Sequence, residues 1–501
     1  MSAVFVLTNS LAISQSDDKT VKLVFAETVK DVPGLINTTQ ATGNVHFQHN
    51  NANLYCDSAI FFRDENRVNA YGKVHINQGD TINLFCDSLR YNGNTKISKL
   101  GGNVRMRDQE YKLVTDSLEY NGNNSVGAYT NFATITTIKD DIKLTSIKGY
   151  YHATPKTFFF KDSVRVTHPE YQLISDTLEF RTTTNTAHFH GPTIIKMDSS
   201  VVKCSRGIYY TDNRFVELWD GATLIDSNRT FYADSMRYSQ ETGIGEGFMN
   251  VNLFDSTEQV QFLSNYMWKS AENDTVILND AARIIQYNEN DTLELLADSI
   301  FHTTDSLDEK ISIAENNVGI INGDIKVRCD SAFFSTTDSI IKLFKNPIMW
   351  SESTQLSADS ILSNYYDNKF HEVYLYQNSF IASEHDSLHY DQIKGKFMTA
   401  WIDSNKVQKV KIELNAKTLY FTEEEKPAAD STEASKKVDG MNDLECNEIL
   451  IYFKDSEIDR IAFIDQPTAT YLPISQVLES QLFLKGFNWQ IALKPKSIFL
   501  E

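Results

Sequence analysis

Long apolar runs, paired cysteines and an excess of basic residues are all missing from this 501-residue chain. No apolar run reaches the roughly 18 residues that a membrane-spanning helix needs, so the sequence predicts no such helix. The five cysteines include no Cys-x-x-Cys pair, so zinc ribbons and thioredoxin-type redox chemistry are not expected. Lysine and arginine number 47 against 67 aspartates and glutamates, and the net charge of −20 argues against nucleic-acid binding.

Catalytic signatures are missing as well. The sequence contains no Walker loop, no Gly-x-Ser-x-Gly and no His-Glu-x-x-His. We therefore expect a protein that is not an enzyme and that needs no cofactor. Hydrophobic residues make up 41% of the chain and charged residues 23%, which is too apolar for a disordered acidic protein.

One short block recurs along most of the chain. It consists of a small residue, Asp, Ser or Thr, an apolar residue, any residue and then an aromatic residue. The Asp-equivalent positions follow each other in steps of 27 to 34 residues from Glu27 to Asn447, which gives fifteen copies. Such regular recurrence is the signature of a repeat architecture. The clearest copies centre on Asp57, Asp87, Asp116, Asp176, Asp234, Asp298, Asp330, Asp359 and Asp386, and weaker copies on Ser146, Ser205, Ser264 and Lys417.

A second block, Gly-Asn-Val-x-apolar in its clearest form, lies about halfway between copies of the first. Both blocks alternate apolar and polar residues, which is the period of half-buried β-strands. Asn-Gly turn signals separate them, at 92–94 and 121–124. Copies of the second block lie at 43–47, 72–76, 102–106, 162–166, 191–194 and 221–225.

These patterns predict an all-β, elongated, repetitive protein. About fifteen units of about 30 residues each would supply short strands joined by tight turns. A single unit cannot bury its apolar face, so the units are expected to stack into two facing sheets as a solenoid. The ends of such a body are open sheet edges, which must be capped or must pair with a partner.

Composition divides the chain into five segments. Residues 1–18 are either a secretory signal or an ordinary first strand, because the stretch is apolar but lacks a basic start. The repeats occupy 19–422. Residues 423–441 are rich in charge, Ala and Ser and are predicted to form a disordered loop. A terminal β repeat follows at 442–485, and the tail at 486–501 is expected to cap the last sheet edge.

The two blocks resemble the repeat of the OstA-like family, which includes the lipopolysaccharide-transport protein LptA and the N-terminal domain of LptD. The matching elements are the Ala/Cys-Asp-Ser-Leu-x-Tyr block and the Gly-Asn-Val-x-apolar block, from about Val24 to Tyr420. The resemblance implies a curved β-jellyroll, V-shaped in section, whose apolar interior carries the acyl chains of lipid A. It also implies head-to-tail joining with like-folded domains. The number of repeats and the 423–441 segment depart from the usual members.

The recurrent apolar columns are the candidate site. On the residues alone two interpretations remain, a closed core at normal packing density or an open groove that accepts lipid chains. The family resemblance favours the groove. The candidate groove residues are Leu89, Tyr91, Leu118, Tyr120, Leu178, Phe180, Met236 and Tyr238 from the first block, and Val74, Ile76, Val104 and Met106 from the second.

The Asp column is the other recurring feature. Asp57, Asp87 and Asp116 would lie near each other in successive units, where carboxylates can act as acid and base or bind calcium. An enzyme needs its set of catalytic residues only once. The recurrence of Asp therefore favours a structural role at a corner of the chain, where its side chain bonds the backbone. The five cysteines all stand just before the Asp-equivalent position, which indicates small buried side chains.

The sequence therefore predicts a non-catalytic periplasmic carrier of the cell envelope. It would shield lipopolysaccharide acyl chains in an apolar groove on their way to the outer membrane. Expected partners are lipopolysaccharide or lipid A, LptC-like and LptD-like proteins that join through sheet edges, and other copies of the chain. The alternative is a structural or adhesive β-solenoid with a closed core and no lipid ligand. Nucleic acid is not expected as a partner.

Overall fold

The computed structural model divides the chain into two compact units. The first unit runs to Ser227 and includes Tyr232–Thr242, and the second comprises Asn228–Phe231 and the chain from Gly243. The predicted signal segment, 1–18, lies outside the described residues. The structure describes residues 20–50, 52–78, 82–107, 111–124, 126–138, 142–152, 157–197, 199–271, 274–288, 292–304, 309–367, 369–403, 406–425, 436–454 and 457–497.

The prediction of an all-β protein is confirmed. Every long element in the described part of the chain is a strand, and the only helical elements there are three 3-10 turns. No helix among these residues is long and apolar enough to cross a membrane.

The strands of the first unit follow each other with short turns between them. They are β1 (Lys22–Phe25), β2 (Thr28–Asp31), β3 (Thr38–His49), β4 (Ala52–Phe62), β5 (Arg67–Gln78), β6 (Ile82–Asn92), β7 (Ile97–Arg107), β8 (Tyr111–Asn121), β9 (Val126–Tyr129), β10 (Ala133–Thr137), β11 (Lys143–Ser146), β12 (Lys148–His152), β13 (Thr157–Thr167), β14 (Tyr171–Arg181), β15 (Thr186–Met197), β16 (Val201–Tyr210), β17 (Phe215–Ile225) and most of β18 (Arg229–Ser239).

The second unit has the same kind of strands, followed by the three 3-10 turns. The strands are β19 (Gly245–Asp255), β20 (Val260–Lys269), β21 (Val276–Tyr287), β22 (Thr292–Thr304), β23 (Lys310–Asn322), β24 (Ile325–Ser335), β25 (Ile340–Phe344), β26 (Ile348–Ser351), β27 (Thr354–Ser357), β28 (Ser360–Tyr366), β29 (Lys369–Glu384), β30 (Tyr390–Asp403), β31 (Lys406–Glu425), β32 (Lys436–Lys454), β33 (Glu457–Ile464) and β34 (Thr468–Pro473); the turns are Ile474–Gln476, Glu479–Gln481 and Ile491–Leu493.

Neighbouring strands pair antiparallel, and each long strand bends at one β-bulge. Between β3 and β4, Thr42 faces Ser58 and Val45 faces Cys56, so two residues of β3 lie opposite Asp57 alone. The second sequence block thus meets the Asp of the first block at a common corner. A bulge of this kind adds a residue to one strand, bends it and increases its twist.

The corner divides every long strand into two halves, which form two walls. Wall A comprises the strand halves on the side of the corner where Leu89 pairs with Leu100. Wall B comprises the strand halves on the other side, where Val74 pairs with Cys86. All four side chains belong to one buried apolar cluster, so the walls face each other. The two predicted facing sheets are therefore two halves of the same folded strands within each unit.

The Asp column closes the corner by hydrogen bonds to the Asn of the second block. The Asn103 side chain donates to the Asp87 carboxylate at 2.7 Å, and Asn44 donates to Glu27 at the same distance. Asn317 donates to Asp298 at 2.9 Å. At these corners the carboxylate therefore has the structural role that the recurrence of the column indicated, since it bonds the bulge opposite.

The last repeats depart from the predicted spacing. Lys396, between Gly395 and Phe397, is the corner residue of β30 and lies opposite the bulge of β29. The predicted copies at Asp386 and Lys417 are not corners. Asp386 lies in the turn before β30, where it accepts backbone hydrogen bonds, and Lys417 is an ordinary ladder residue opposite Lys394. The sequence block at Asp386 and Lys417 is a chance match. The connection between β29 and β30 is longer, and the corner therefore falls at Lys396.

The ends of the predicted disordered loop are strands. Glu423 pairs with Val438 and Phe421 pairs with Met441, so β31 and β32 continue into 423–441 from both sides. Apolar side chains drive this pairing, because Phe421, Val438 and Met441 belong to a second buried cluster. Residues 426–435 of the loop lie outside the described residues.

Each unit presents strands that have a partner on one side only. In the described part of the chain β1 and β2 both pair with β3 alone, and β33 and β34 both pair with β32 alone. The alternating apolar pattern at 449–453 predicts a strand edge near these residues. They belong to β32, whose residues 449–452 pair with both β31 and β33, so the edge lies one strand farther along, at β33.

Replacing Gly102 by Ala tests the corner. Gly102 has φ +75°, and an added Cβ would lie 2.6 Å from the Asp87 carboxylate, whereas Gly34 has φ +82° with open space around it. Both substitutions strain the backbone, but only Gly102→Ala displaces a carboxylate. We expect Gly102→Ala to lower the free energy of unfolding by about 1 kcal/mol more than Gly34→Ala in urea titrations. Equal losses in the two variants would show that contact with the Asp87 carboxylate does not add to the cost of Gly102→Ala.

Candidate functional site

All twelve predicted groove residues lie in the first unit, and the structure separates them into two rows. The row next to the corner is buried, with at most 9% of any side chain exposed. These residues pack where the walls meet, so they form the core of the fold. They are Leu89, Leu118, Leu178 and Met236 on wall A and Val74 and Val104 on wall B.

The second row lies two residues farther along each strand and is accessible. Because side chains alternate along a strand, residues two apart share a face, so this row points to the same interior as the first. Its members lie farther from the corner. Tyr91, Phe180, Ile76 and Met106 are half-buried, whereas Tyr120 and Tyr238 are each 37% exposed.

The interior is closed at the β3 end of the first unit. There Phe47 of wall B packs edge-on against Phe61 of wall A, with ring centroids 5.5 Å apart. The imidazole of His49 on wall B makes a 2.6 Å hydrogen bond with the hydroxyl of Tyr91 on wall A. Sequence reasoning missed His49, because it stands outside both recurring blocks.

Exposure of the second row rises along the first unit. On wall A the row runs through Phe61, Tyr91 and Tyr120 in β4, β6 and β8, and it changes from buried through half-buried to exposed. On wall A this row is therefore buried near β3 and partly exposed from about β8. Phe180 in β14 and Tyr238 in β18 continue the accessible row.

The interior of the second unit is closed over many of its strands. Many second-row positions there carry aliphatic side chains in place of the tyrosines, and the residues named at the end of this paragraph are each 0% exposed. His302 and Phe334, in contrast, are half-buried at this position. Ile451, for example, occupies on β32 the position that Tyr91 occupies on β6. Partly exposed tyrosines in the second row are thus a feature of the first unit. The buried second-row residues are Ile320, Val327, Ile341, Leu356, Ala400, Val410 and Ile451.

Polar groups inside both units are held in their neutral forms. In the first unit the Tyr129 hydroxyl hydrogen-bonds to Ser146 at 2.6 Å, and burial raises its pKa to about 12. In the second unit burial lowers the pKa of His302 to about 4, with nearby Lys310 acting in the same direction. The His302 ring hydrogen-bonds to Ser312 at 2.8 Å. An interior of this kind suits apolar chains rather than charged groups.

The five cysteines are buried free thiols, as their positions in the repeat indicated. Burial raises the pKa of Cys56 to about 11 and that of Cys86 to about 12. These thiols are therefore protonated and unreactive at neutral pH. Among the described residues no group of three or more His, Cys, Asp and Glu side chains is placed to hold a metal ion.

Comparison with known families identifies part of the chain. Residues 22–176, about a third of its length, match the family model described as OstA-like protein. This stretch covers β1 to most of β14 and includes the first part of the groove. The resemblance drawn from the repeated blocks is thereby confirmed there. The OstA-like family is linked to lipid and lipopolysaccharide transport in the cell envelope and is not a family of enzymes. No curated protein matches the chain.

Acid should lower the folding stability of the second unit, because His302 is buried in its neutral form. A histidine with an ordinary pKa of about 6.5 gains a proton in the unfolded chain, but folded His302 stays neutral down to about pH 4. Stability is then fully present above pH 6.5 and is lost as the pH falls from 6.5 towards 4.

We expect His302→Gln, which keeps a hydrogen-bonding group near Ser312, to reduce this loss by about 1–2 kcal/mol at pH 4.5. Urea midpoints measured between pH 7 and 4.5 for both proteins provide the test. Parallel pH curves would show that His302 does not contribute.

Proposed function

We propose that the first unit shields the acyl chains of a lipid of the lipopolysaccharide type in its open groove. The observation that supports this most directly is the accessible second row, which offers Tyr120, Phe180 and Tyr238 to the interior of the fold. Continuous exposed apolar surface of this kind is unusual in a protein without an apolar ligand. The family match over 22–176 supports the same class of ligand.

Apolar burial is sufficient to hold such a ligand. Each buried methylene contributes about 0.8 kcal/mol, so a few acyl chains outweigh the cost of ordering them without any charged contact. The net charge of −20 would repel the phosphates of lipid A. We therefore infer that the protein binds acyl chains and leaves the head group outside, and that it transfers the lipid without catalysis.

The single-sided strands are the proposed joints to other proteins. Among the described strands, β1 and β2 pair with β3 alone in the first unit, and β33 and β34 pair with β32 alone in the second. Such edges add strands from a partner. We propose that LptC-like or LptD-like proteins, or further copies of this chain, join there in the periplasm so that grooves become continuous.

The closed interior of the second unit favours a second candidate function for that part of the chain. With aliphatic side chains filling the second row, the unit has the packing of a structural solenoid that needs no ligand. In this account the second unit is a rigid element of the envelope, and lipid binding is confined to the first unit.

Photo-crosslinking in cells tests the groove. A photoreactive residue at Tyr120, Phe180 or Tyr238 should give lipopolysaccharide adducts, because these side chains face the accessible interior. Tyr91 should give fewer, since its hydroxyl is bonded to His49. Outward-facing controls at Arg90 and Glu119 should give none. Equal labelling of controls and groove positions, or no adducts in folded exported protein, would favour the structural solenoid.

A charge placed in the groove should expel the ligand. Phe180→Asp puts a carboxylate into the apolar row, and desolvating it opposes acyl binding. We expect the lipid recovered with purified protein to fall at least about tenfold. The control is Gln172→Asp, an exposed position on the same strand. If both variants retain lipid equally, the chains do not lie along wall A.

A further inference from the structure

The C-terminal residues form a strap that lies on a sheet face. Residues 474–497, here called the strap, follow β34 and contain only the three short 3-10 turns. The sequence predicted a tail at 486–501 that caps the last sheet edge. Instead the strap crosses strands of the second unit, with contacts from Gln392 on β30 to Glu294 on β22.

The strap covers the outer face of wall B. Gln355, Ala382 and Gln392 lie directly opposite one another on β27, β29 and β30, so they share one face. Their strand neighbours Leu356, Ile381 and Ile393 point to the closed interior. Outward positions of a sheet usually meet water, yet these three residues are at most 2% exposed.

An apolar cluster underlies the strap. Phe380, Leu419, Phe421 and Met441 on the outer face are buried together with Leu484 of the strap. Tyr390 lies against the strap rings, with centroids 5.2 Å from those of both Phe487 and Trp489. The outer face of wall B in the second unit is thus an apolar surface that the strap removes from water.

Two glutamines hold the strap by its backbone. The Gln392 side-chain amide donates to the Leu482 carbonyl at 2.8 Å and accepts from the Leu484 N–H at 2.8 Å. Gln355 repeats the arrangement, donating to the Asn488 carbonyl at 2.8 Å and accepting from the Gln490 N–H at 2.9 Å. Each amide therefore satisfies a carbonyl and the N–H two residues later.

This geometry is that of peptide recognition. A fully buried glutamine on an outer sheet face is costly unless both its donor and its acceptor are satisfied, and here the strap backbone supplies a partner to each. The Gln392 amide also donates to the Tyr390 carbonyl at 3.1 Å, so it is the side-chain oxygen that depends on the strap. The Lys394 ammonium adds a third backbone contact, donating to the Lys485 carbonyl at 2.6 Å. Side chains of the sheet thus bind an extended main chain, while the cluster below accepts its apolar side chains.

The first part of the strap, residues 475–480 and here called the link, is largely exposed. Leu478 is 65% exposed, and Ser475, Gln476, Glu479 and Ser480 are exposed too. The strap is therefore anchored by the two glutamines and the apolar cluster rather than by its connection. It contacts the sheet as a bound peptide would.

We propose that the outer face of wall B in the second unit is a binding site for an extended peptide and that the strap is its ligand in cis. The site takes a peptide with apolar side chains at the positions of Leu484, Phe487 and Trp489. Gln355 and Gln392 fix the peptide through its backbone. Nothing in this arrangement depends on the groove of the first unit.

Cutting the exposed link in the full-length protein tests the proposal. A site-specific protease sequence would replace residues 475–480, and the protein would be cleaved after folding. A fluorescent synthetic peptide of residues 474–497 should then exchange with the cut strap, followed by anisotropy and competed by unlabelled peptide. Cleavage is needed because the strap, while attached to the chain, competes with the added peptide at a high effective concentration.

Variants identify the contacts that matter. Gln392→Met keeps the side-chain length but removes both hydrogen bonds, so the peptide should bind at least about tenfold more weakly. Methylating the peptide amide of Leu484 should have a similar effect. Gln240→Met, at an exposed turn of the first unit, should change nothing.

The result that would overturn the proposal is a cut strap that leaves only when the second unit unfolds. Unfolding of the unit on cleavage would overturn it as well, because the strap would then be an integral layer of the fold. Equal peptide affinity in Gln392→Met and the parent protein would show that the glutamines do not form the site.

Discussion

The bulge at the corner of each strand is the constraint on which the rest of the structure depends. Two residues with positive φ lie opposite one residue of the next strand, as Gly102 and Asn103 lie opposite Asp87. At that corner glycine fits because the carboxylate occupies the space of a Cβ, and asparagine fits because its amide binds that carboxylate. The bend sends the two halves of each strand into facing walls. A lone strand pair could not bury its apolar side chains, but two walls made from the same strands can.

The same corner permits an open or a closed interior, and the second row of side chains decides between them. In the first unit that row contains Tyr120 and Tyr238, whose rings remain partly exposed, whereas the corresponding Ile451 in the second unit is fully buried. The wall geometry is set by the first row, which is buried in both units. Exposure of the second row can therefore differ between the units without any change in fold, because second-row substitutions do not alter the corner.

The strands, the corner and the shared face of Leu89 and Tyr91 could be predicted from the sequence, because they follow from period-2 alternation and from residues that recur. The sequence could not predict which of these two side chains is buried and which is accessible, since that depends on the distance between the walls. The contact of His49 with Tyr91 joins residues on different walls, and neither block contains His49. Lys396 was missed as a corner because it shares no side-chain chemistry with the aspartates, and only the ladder register identifies it.

Alternation also explains why the strap was not foreseen. Gln355 and Gln392 stand at outward positions, where a polar residue is the ordinary choice for a solvated sheet face. Their burial is explained only by the hydrogen bonds that both side-chain amides make with the strap backbone. Phe380, Phe421 and Met441 are outward and apolar as well, so the sheet here is apolar on both faces. A wall with two apolar faces needs a cover on the outer one. In the second unit residues 474–497 supply it, and an outer face that would otherwise be open to water becomes a second core.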